Sequence, residues 1–351
     1  MTVTDSWSRK RARVLAIASA KGGVGRSSML IELAQALARH EQTVILADLN
    51  PSALSLSALL ELPIGDPLVP WEPSATRFDR VQLVQSDDLV ERRREPAGLV
   101  QDLRMLEAQW VLVDLPPTNL TETVDFFVDC DVPVVMTMAE PATLAATAQL
   151  LRACLLSRIR RSTRQAAAQD LLRLAQSAPR TWSFSRLFRD AQSDEARELL
   201  VELCQKLSLG LLLNQVREPS ERAQAEGLCH AWGIDFGVWM RYLGGIVYDE
   251  RRWFYARRLS PPSQVTLDDT VGGDVERLAK ALLELDPRVW AAPRPCLPCV
   301  DPDSYPRVFL DMTAGSANEI RQVHRRLWES YRRESGLISF VLDAAGRTRA
   351  L

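Results

Sequence analysis

The chain has 351 residues, 25% of them charged, and a net charge of -2 at pH 7. That balance argues against bulk electrostatic attraction to nucleic acid, and no sequence-specific nucleic-acid partner is expected. There is no run of about twenty apolar residues and no secretory pattern at the polar N-terminus, so a cytoplasmic location is expected, with the six scattered cysteines mostly buried and reduced.

In chain order, the apolar run Val14 to Ile17 predicts a strand over 13–19. The segment Ser19-Ala-Lys21-Gly22-Gly23-Val24-Gly25-Arg26-Ser27-Ser28 follows, and then helical spacing at Met29, Leu30, Leu33, Ala34 and Leu37. Strand, glycine-rich loop and helix in this order make a phosphate cradle. Glycine lets the backbone wrap closely, its amides point inward, and the helix N-terminus adds partial positive charge. Ser27 occupies the place of the hydroxyl ligand for Mg2+. The usual loop has Lys just before that hydroxyl. This chain has Arg26, a planar fork in place of a compact point charge.

Further strands are expected over 43–47, 81–84, 110–114, 132–138, 209–214 and 241–246, with helices between most of them. This alternation predicts an α/β, P-loop NTPase-like fold with a mainly parallel, twisted sheet covered by helices on both faces. Asp48 and Asp114 each follow or end a buried-looking strand, where ligands collect in open α/β sheets, and both are read as Mg2+ or water contacts.

Between strands, the segment from about 157 to 207 is an insertion with apolar spacing at Leu171, Leu172, Leu174 and at Leu199, Leu200, Leu203, which predicts two or more amphipathic helices. Its basic start, Arg158, Arg160, Arg161 and Arg164, reads as solvated helix charge ahead of a contact with acidic lipid or DNA. Residues 286–303 form a Pro-rich linker. Cys296 and Cys299 lie in it without a second pair nearby, and the three histidines are dispersed, so they read as loop cysteines and not as half of a zinc site. Over 304–351 a small helical module is expected, with Ser316 or Asn318 capping a helix whose apolar stripe is Ile320, Val323, Leu327 and Tyr331.

The loop Lys21-Gly-Gly-Val-Gly resembles the deviant Walker motif of the ParA/MinD ATPase family. Asp48-Leu49-Asn50-Pro51 is similar to that family's Asp-x-Asp-Pro switch, and Asp114-Leu115-Pro116-Pro117 to its second acidic motif. Glu140-Pro141 and Asn214 match later landmarks. Tyr242 to Asp249 resembles the closing strand and loop, especially of the flagellar-number and cell-division branch. The resemblance covers 11–285 as one nucleotide-binding domain. It implies ATP or ADP with Mg2+ as cofactors and a nucleotide-dependent homodimer, in which Lys21 reaches the partner's phosphates.

By the same resemblance Lys21, Asp48 and Asn50 take catalytic places, and Ser27, Asp48 and Asp114 serve the metal. Gly22, Gly23, Val24, Gly25, Arg26, Ser27, Ser28, Asp114 and Asn214 contact the nucleotide, Asn214 near the adenine. The 304–351 module faintly resembles a J-like extension, but the His-Pro-Asp signature is absent and Hsp70 stimulation is not implied.

Asn50 stands where relatives carry the second acid of the switch. An amide orients a water but does not accept its proton at neutral pH. With Arg26 also altered, the expectation is a dimerising switch or scaffold that positions or assembles a cellular structure, binds nucleotide and hydrolyses it slowly or not at all. An active ATPase that tolerates both changes is the alternative, and a binding module that has lost nucleotide is the third. A protein partner is expected on the insertion or the C-terminal module. Peripheral contact with the inner face of a membrane is the lesser reading.

Overall fold

Eight strands form a mostly parallel sheet, as the alternation of apolar runs and helical spacing predicts. The structure is a computed structural model and describes residues 11–49, 56–60, 62, 71–86, 88, 95–116, 120–177, 182–251, 269–285, 290, 340–342 and 348–350. The chain divides into two compact units, one comprising residues to 18 with 25–133 and 249–280, the other 19–24, 134–248 and 281 onward.

The first unit holds β1 (Arg13–Ala18), β2 (Val44–Asp48), β3 (Ser74–Ala75), β4 (Val81–Gln85) and β5 (Trp110–Asp114), in the order β3-β4-β2-β5-β1. β2 and β5 are buried at every position, and β1 at all but Arg13, as expected of parallel strands covered on both faces. Only the short edge strand β3, which the sequence did not reveal, runs antiparallel. In register, Asp48 is level with Asp114 on one side and with Gln85 on the other. Parallel register therefore brings three polar strand ends into one row.

Helices α1 (Arg26–Arg39), α2 (Leu56–Leu59), α3 (Pro96–Arg104) and α4 (Thr121–Asp129) belong to this unit. The buried stripe of α1, including Met29, Leu30, Leu33, Ala34 and Leu37, is the one its spacing predicts. Glu276, on the later helix α10 (Asp269–Leu283), pairs with His40 and with Arg39, the latter at 3.3 Å. β1 and α3 are pinned by Asp131: its Oδ2 accepts the Val14 N–H at 2.9 Å, and its Oδ1 accepts from Arg104 Nη2 at 2.7 Å.

In the second unit β7 (Ser208–Val216) pairs in parallel with β6 (Val132–Thr137) and with β8 (Trp239–Val247). The predicted insertion is helical. After α5 (Pro141–Arg160) come α6 (Gln165–Ser177), α7 (Phe184–Asp190) and α8 (Asp194–Gln205), and α9 (Pro219–Phe236) follows β7. Their apolar faces make one core of Leu155, Ile159, Leu171, Trp182, Phe184 and Leu200 with their neighbours.

Ser183 and Ser193 cap α7 and α8, accepting from Arg186 N–H and Ala196 N–H at 3.3 and 3.1 Å. Gly237 ends α9 at φ 70°, and a Cβ there would lie 2.6 Å from Phe184 and 2.7 Å from Cys204, so both space and conformation require glycine.

Cys130, Cys154, Cys204 and Cys229 are buried free thiols, and burial pushes Cys154 up to about 12. Among the described residues no helix is long and apolar enough to cross a membrane. The C-terminal residues described are β9 (Phe340–Leu342) and β10 (Thr348–Ala350), an antiparallel pair and not a helix. The helix predicted within 316–333, the Pro-rich linker other than residue 290, and Cys296 and Cys299 lie outside the described residues.

Candidate functional site

In the first unit the site is assembled at the start of α1. Gly25 precedes the helix at φ 89°, a left-handed conformation that lets the loop turn straight into Arg26, Ser27 and Ser28 with their amides at the helix N-terminus. Ser27 Oγ donates to Asp114 Oδ2 at 2.5 Å across 87 residues of sequence. Two residues read as Mg2+ contacts are thus brought together.

The other Asp114 oxygen, Oδ1, is buried without a hydrogen-bond partner among the described residues, and so is Nη1 of Arg26. Burial pushes the Asp114 carboxyl up; Arg26 and the Ser27 hydroxyl pull it down, and Asp48 pushes it up again. Neighbouring carboxylates with a hydroxyl are hard oxygen donors of the kind Mg2+ takes, together with phosphate oxygens. No cluster of three or more His, Cys, Asp or Glu able to hold a metal occurs among the described residues.

Asp48 is almost fully buried, and its Oδ2 accepts from the backbone N–H of Leu56 at 2.9 Å and from Gln85 Nε2 at 3.2 Å. Asn50, with Pro51 beside it, lies outside the described residues.

In the second unit the loop residues Ser19 to Val24 meet two of the later landmarks. Gly22 and Gly23 are exposed, Gly23 lies at φ 78°, and a Cβ on either would meet nothing within 4 Å. The space beside both glycines is open. Val24 is buried, and its carbonyl accepts from Asn214 Nδ2 at 2.7 Å. Asn214 is aimed by a bulge in β7: the ladder slips between Leu213 and Val216, and Gln215 takes φ 58°. The Oδ1 of Asn214 is buried without a hydrogen-bond partner among the described residues.

Lys21 is half exposed and pairs with Glu140 Oε2 at 3.5 Å, Glu140 itself preceding α5. Glu140 was legible only as a landmark, and Gln85 was not legible at all. Neither contact follows from spacing, since each joins residues more than thirty positions apart.

Residues 15–252 match the model of the CobQ/CobB/MinD/ParA nucleotide-binding domain family. The chain belongs to this family. The glycine loop, both acids and Asn214 all fall inside the matched span, and in the first unit the Ser27, Asp114 and Arg26 group has the chemistry to take Mg2+ with phosphate oxygens.

The chromosome-partitioning ATPase Soj of Thermus thermophilus is 33% identical over 156 residues, 41% of this chain. The match spans 61% of that relative's length. Among solved structures, MinD of Pyrococcus horikoshii, complexed with Mg-ADP, superposes with a TM-score of 0.50 at 14% identity, covering 78% of this chain and 96% of its own. Apo McdA of Cyanothece gives 0.51 at 16% identity, over 78% and 100%. These two likenesses speak for the P-loop fold.

Proposed function

We propose that the chain is a ParA/MinD-type switch that binds ATP or ADP with Mg2+, dimerises on the triphosphate, and positions or assembles a cellular structure with slow or absent hydrolysis. The observation that carries this reading is the Ser27–Asp114 hydrogen bond at the start of α1, with Asp114 Oδ1 and Arg26 Nη1 buried and without a hydrogen-bond partner among the described residues.

The guanidinium of Arg26 and the amides of Gly22 to Ser28 would hold phosphate oxygens. Ser27 Oγ, Asp48 and Asp114 would hold Mg2+, whose charge neutralises the phosphates when bound. Asn214 already commits its Nδ2 to Val24, so its Oδ1 would accept from an N–H of the base. Lys21 is tied to Glu140 by one long, exposed ion pair, a contact of little strength that a partner's phosphates would displace.

The slow step follows from residue chemistry. Arg26 replaces the compact cation and Asn50 the carboxylate, so both the clamp on the transferring group and the handling of water are weakened. The partitioning relative supports the positioning role, and the insertion helices α6 to α8 offer a surface for a protein partner.

Molar mass in solution with no nucleotide, ADP and ATP, combined with a turnover assay, tests the proposal. A dimer with ATP and turnover far below that of active relatives supports it. Turnover comparable to theirs and abolished by Arg26→Ala would make the chain an active ATPase. No heat on calorimetric titration with any nucleotide and Mg2+ would reduce it to a binding module.

A further inference from the structure

Gln85 ends β4, level with Asp48 on the adjacent strand. Its Nε2 donates to Asp48 Oδ2 and to Ser57 Oγ, both at 3.2 Å, and its main-chain carbonyl accepts the Trp71 main-chain N–H at 3.2 Å. The same Asp48 oxygen accepts the N–H of Leu56, the first residue of α2, at 2.9 Å. Ser86 N–H closes the group by donating to the Asp48 carbonyl at 3.1 Å.

A single carboxylate oxygen therefore ties the end of β2 to the start of α2 across eight positions, and one amide group fastens that tie from the neighbouring strand. The seven residues between them, 49–55, include Asn50. A helix start has amide groups with no intrahelical partner, so the Leu56 N–H depends on this oxygen. Hydrogen bonds to an ionised acceptor are the stronger kind, and two donors on one oxygen fix the rotation of the carboxylate.

We propose that Gln85 is a positioning residue of the nucleotide site: it holds the Asp48 carboxylate and the first turn of α2 in one arrangement, so that Mg2+-nucleotide meets an acid already in place. The Mg2+ half of the inference rests on the nucleotide reading above; the mechanical half does not.

The test uses the full chain with Gln85→Met, which keeps the length and removes the donor, and Gln85→Glu, which keeps shape and polarity should the first variant fail to fold. Two quantities are measured. The first is amide hydrogen exchange at Leu56 without nucleotide. The second is affinity for ADP with Mg2+ and for ADP in EDTA.

Loss of a charge-assisted bond is expected to speed Leu56 exchange about tenfold or more. Affinity for ADP with Mg2+ should fall about tenfold, while affinity in EDTA changes less than about twofold. Unchanged Leu56 protection in both variants overturns the proposal. Equal loss with and without Mg2+ also overturns it, because that result marks a residue needed only for folding. Wild-type protein that takes up no nucleotide in either buffer defeats the switch reading and the Mg2+ half, and the exchange rates then still judge the hold of Gln85 on Asp48 and Leu56.

Discussion

Asp235, one residue before the end of α9, ties the stability of the second unit to pH. Its Oδ2 is buried with no hydrogen-bond partner among the described residues, although the residue as a whole keeps partial exposure. Burial pushes its carboxyl from the ordinary 3.8 up to about 7, against the opposing pull of Arg152. The guanidinium of Arg152 is committed to the core: its Nε donates to the Trp182 carbonyl at 3.1 Å and it lies 4.9 Å from the Phe236 ring.

The folded chain therefore keeps a proton on Asp235 between about pH 4 and pH 7 that the unfolded chain has released. Unfolding releases protons in that window, so stability falls as pH climbs through it and levels off above about 7. At about 1.4 kcal/mol per pH unit the full effect is about 4.5 kcal/mol, and partial exposure reduces the expectation to about 2–3 kcal/mol.

Asparagine copies the protonated acid. Asp235→Asn should match the wild type near pH 4.5 and exceed it by about 2–3 kcal/mol at pH 8. Urea unfolding midpoints of both proteins, taken between pH 4.5 and 8.5, give the difference directly. A difference independent of pH, or a variant less stable than the wild type at pH 8, would refute the argument by showing that Arg152 needs the charge more than burial opposes it.

Restoring both altered residues, Arg26→Lys with Asn50→Asp, is expected to raise ATP turnover by about a hundredfold or more, read by phosphate release; no gain would place the block elsewhere. Lys21→Ala should abolish the ATP-dependent dimer in light scattering while nucleotide affinity changes less than about twofold, since its one described partner is the exposed Glu140. Asp131→Ala removes the acceptor of Val14 N–H and the Arg104 pair together and should cost about 2 kcal/mol in urea unfolding, and a loss under about 0.5 kcal/mol would count against this anchoring role.

Much of the fold was legible because buried parallel strands announce themselves as apolar runs. Val14 to Ile17, Trp110 to Val113 and Leu211 to Leu213 lie within strands, and their bounds moved by only one or two residues in the structure. The edge pair Ser74–Ala75 was not legible, since two residues of no marked β preference carry no period. The C-terminal strands were read as part of a helical module because Leu337 to Leu342 is an apolar stretch too short for its spacing to tell a strand from a helix turn.

In the site, the loop, Asp48 and Asp114 were legible as strand ends, and the meeting of Ser27 with Asp114 follows from both motifs lying at carboxyl ends of strands. Gln85 escaped because its role depends on which residue lies beside it across the ladder. A glutamine at a strand end has no signature of its own until the register is known.

The slip in β7 at Gln215 has a consequence for any attempt to edit that strand. Side chains alternate faces with a period of two, so one surplus residue reverses the phase of everything after it. Removing Gln215 would keep Leu209 to Leu213 where they are and turn the remainder of the strand inside out. Val216 would trade its interior berth for the opposite side, and Tyr248, whose N–H now reaches the Val216 carbonyl at 2.8 Å, would lose its tether. The chain thus uses a single amino acid for a change of parity, and a grafted strand one residue shorter could copy every position up to Asn214 and still turn Val216 to the wrong face.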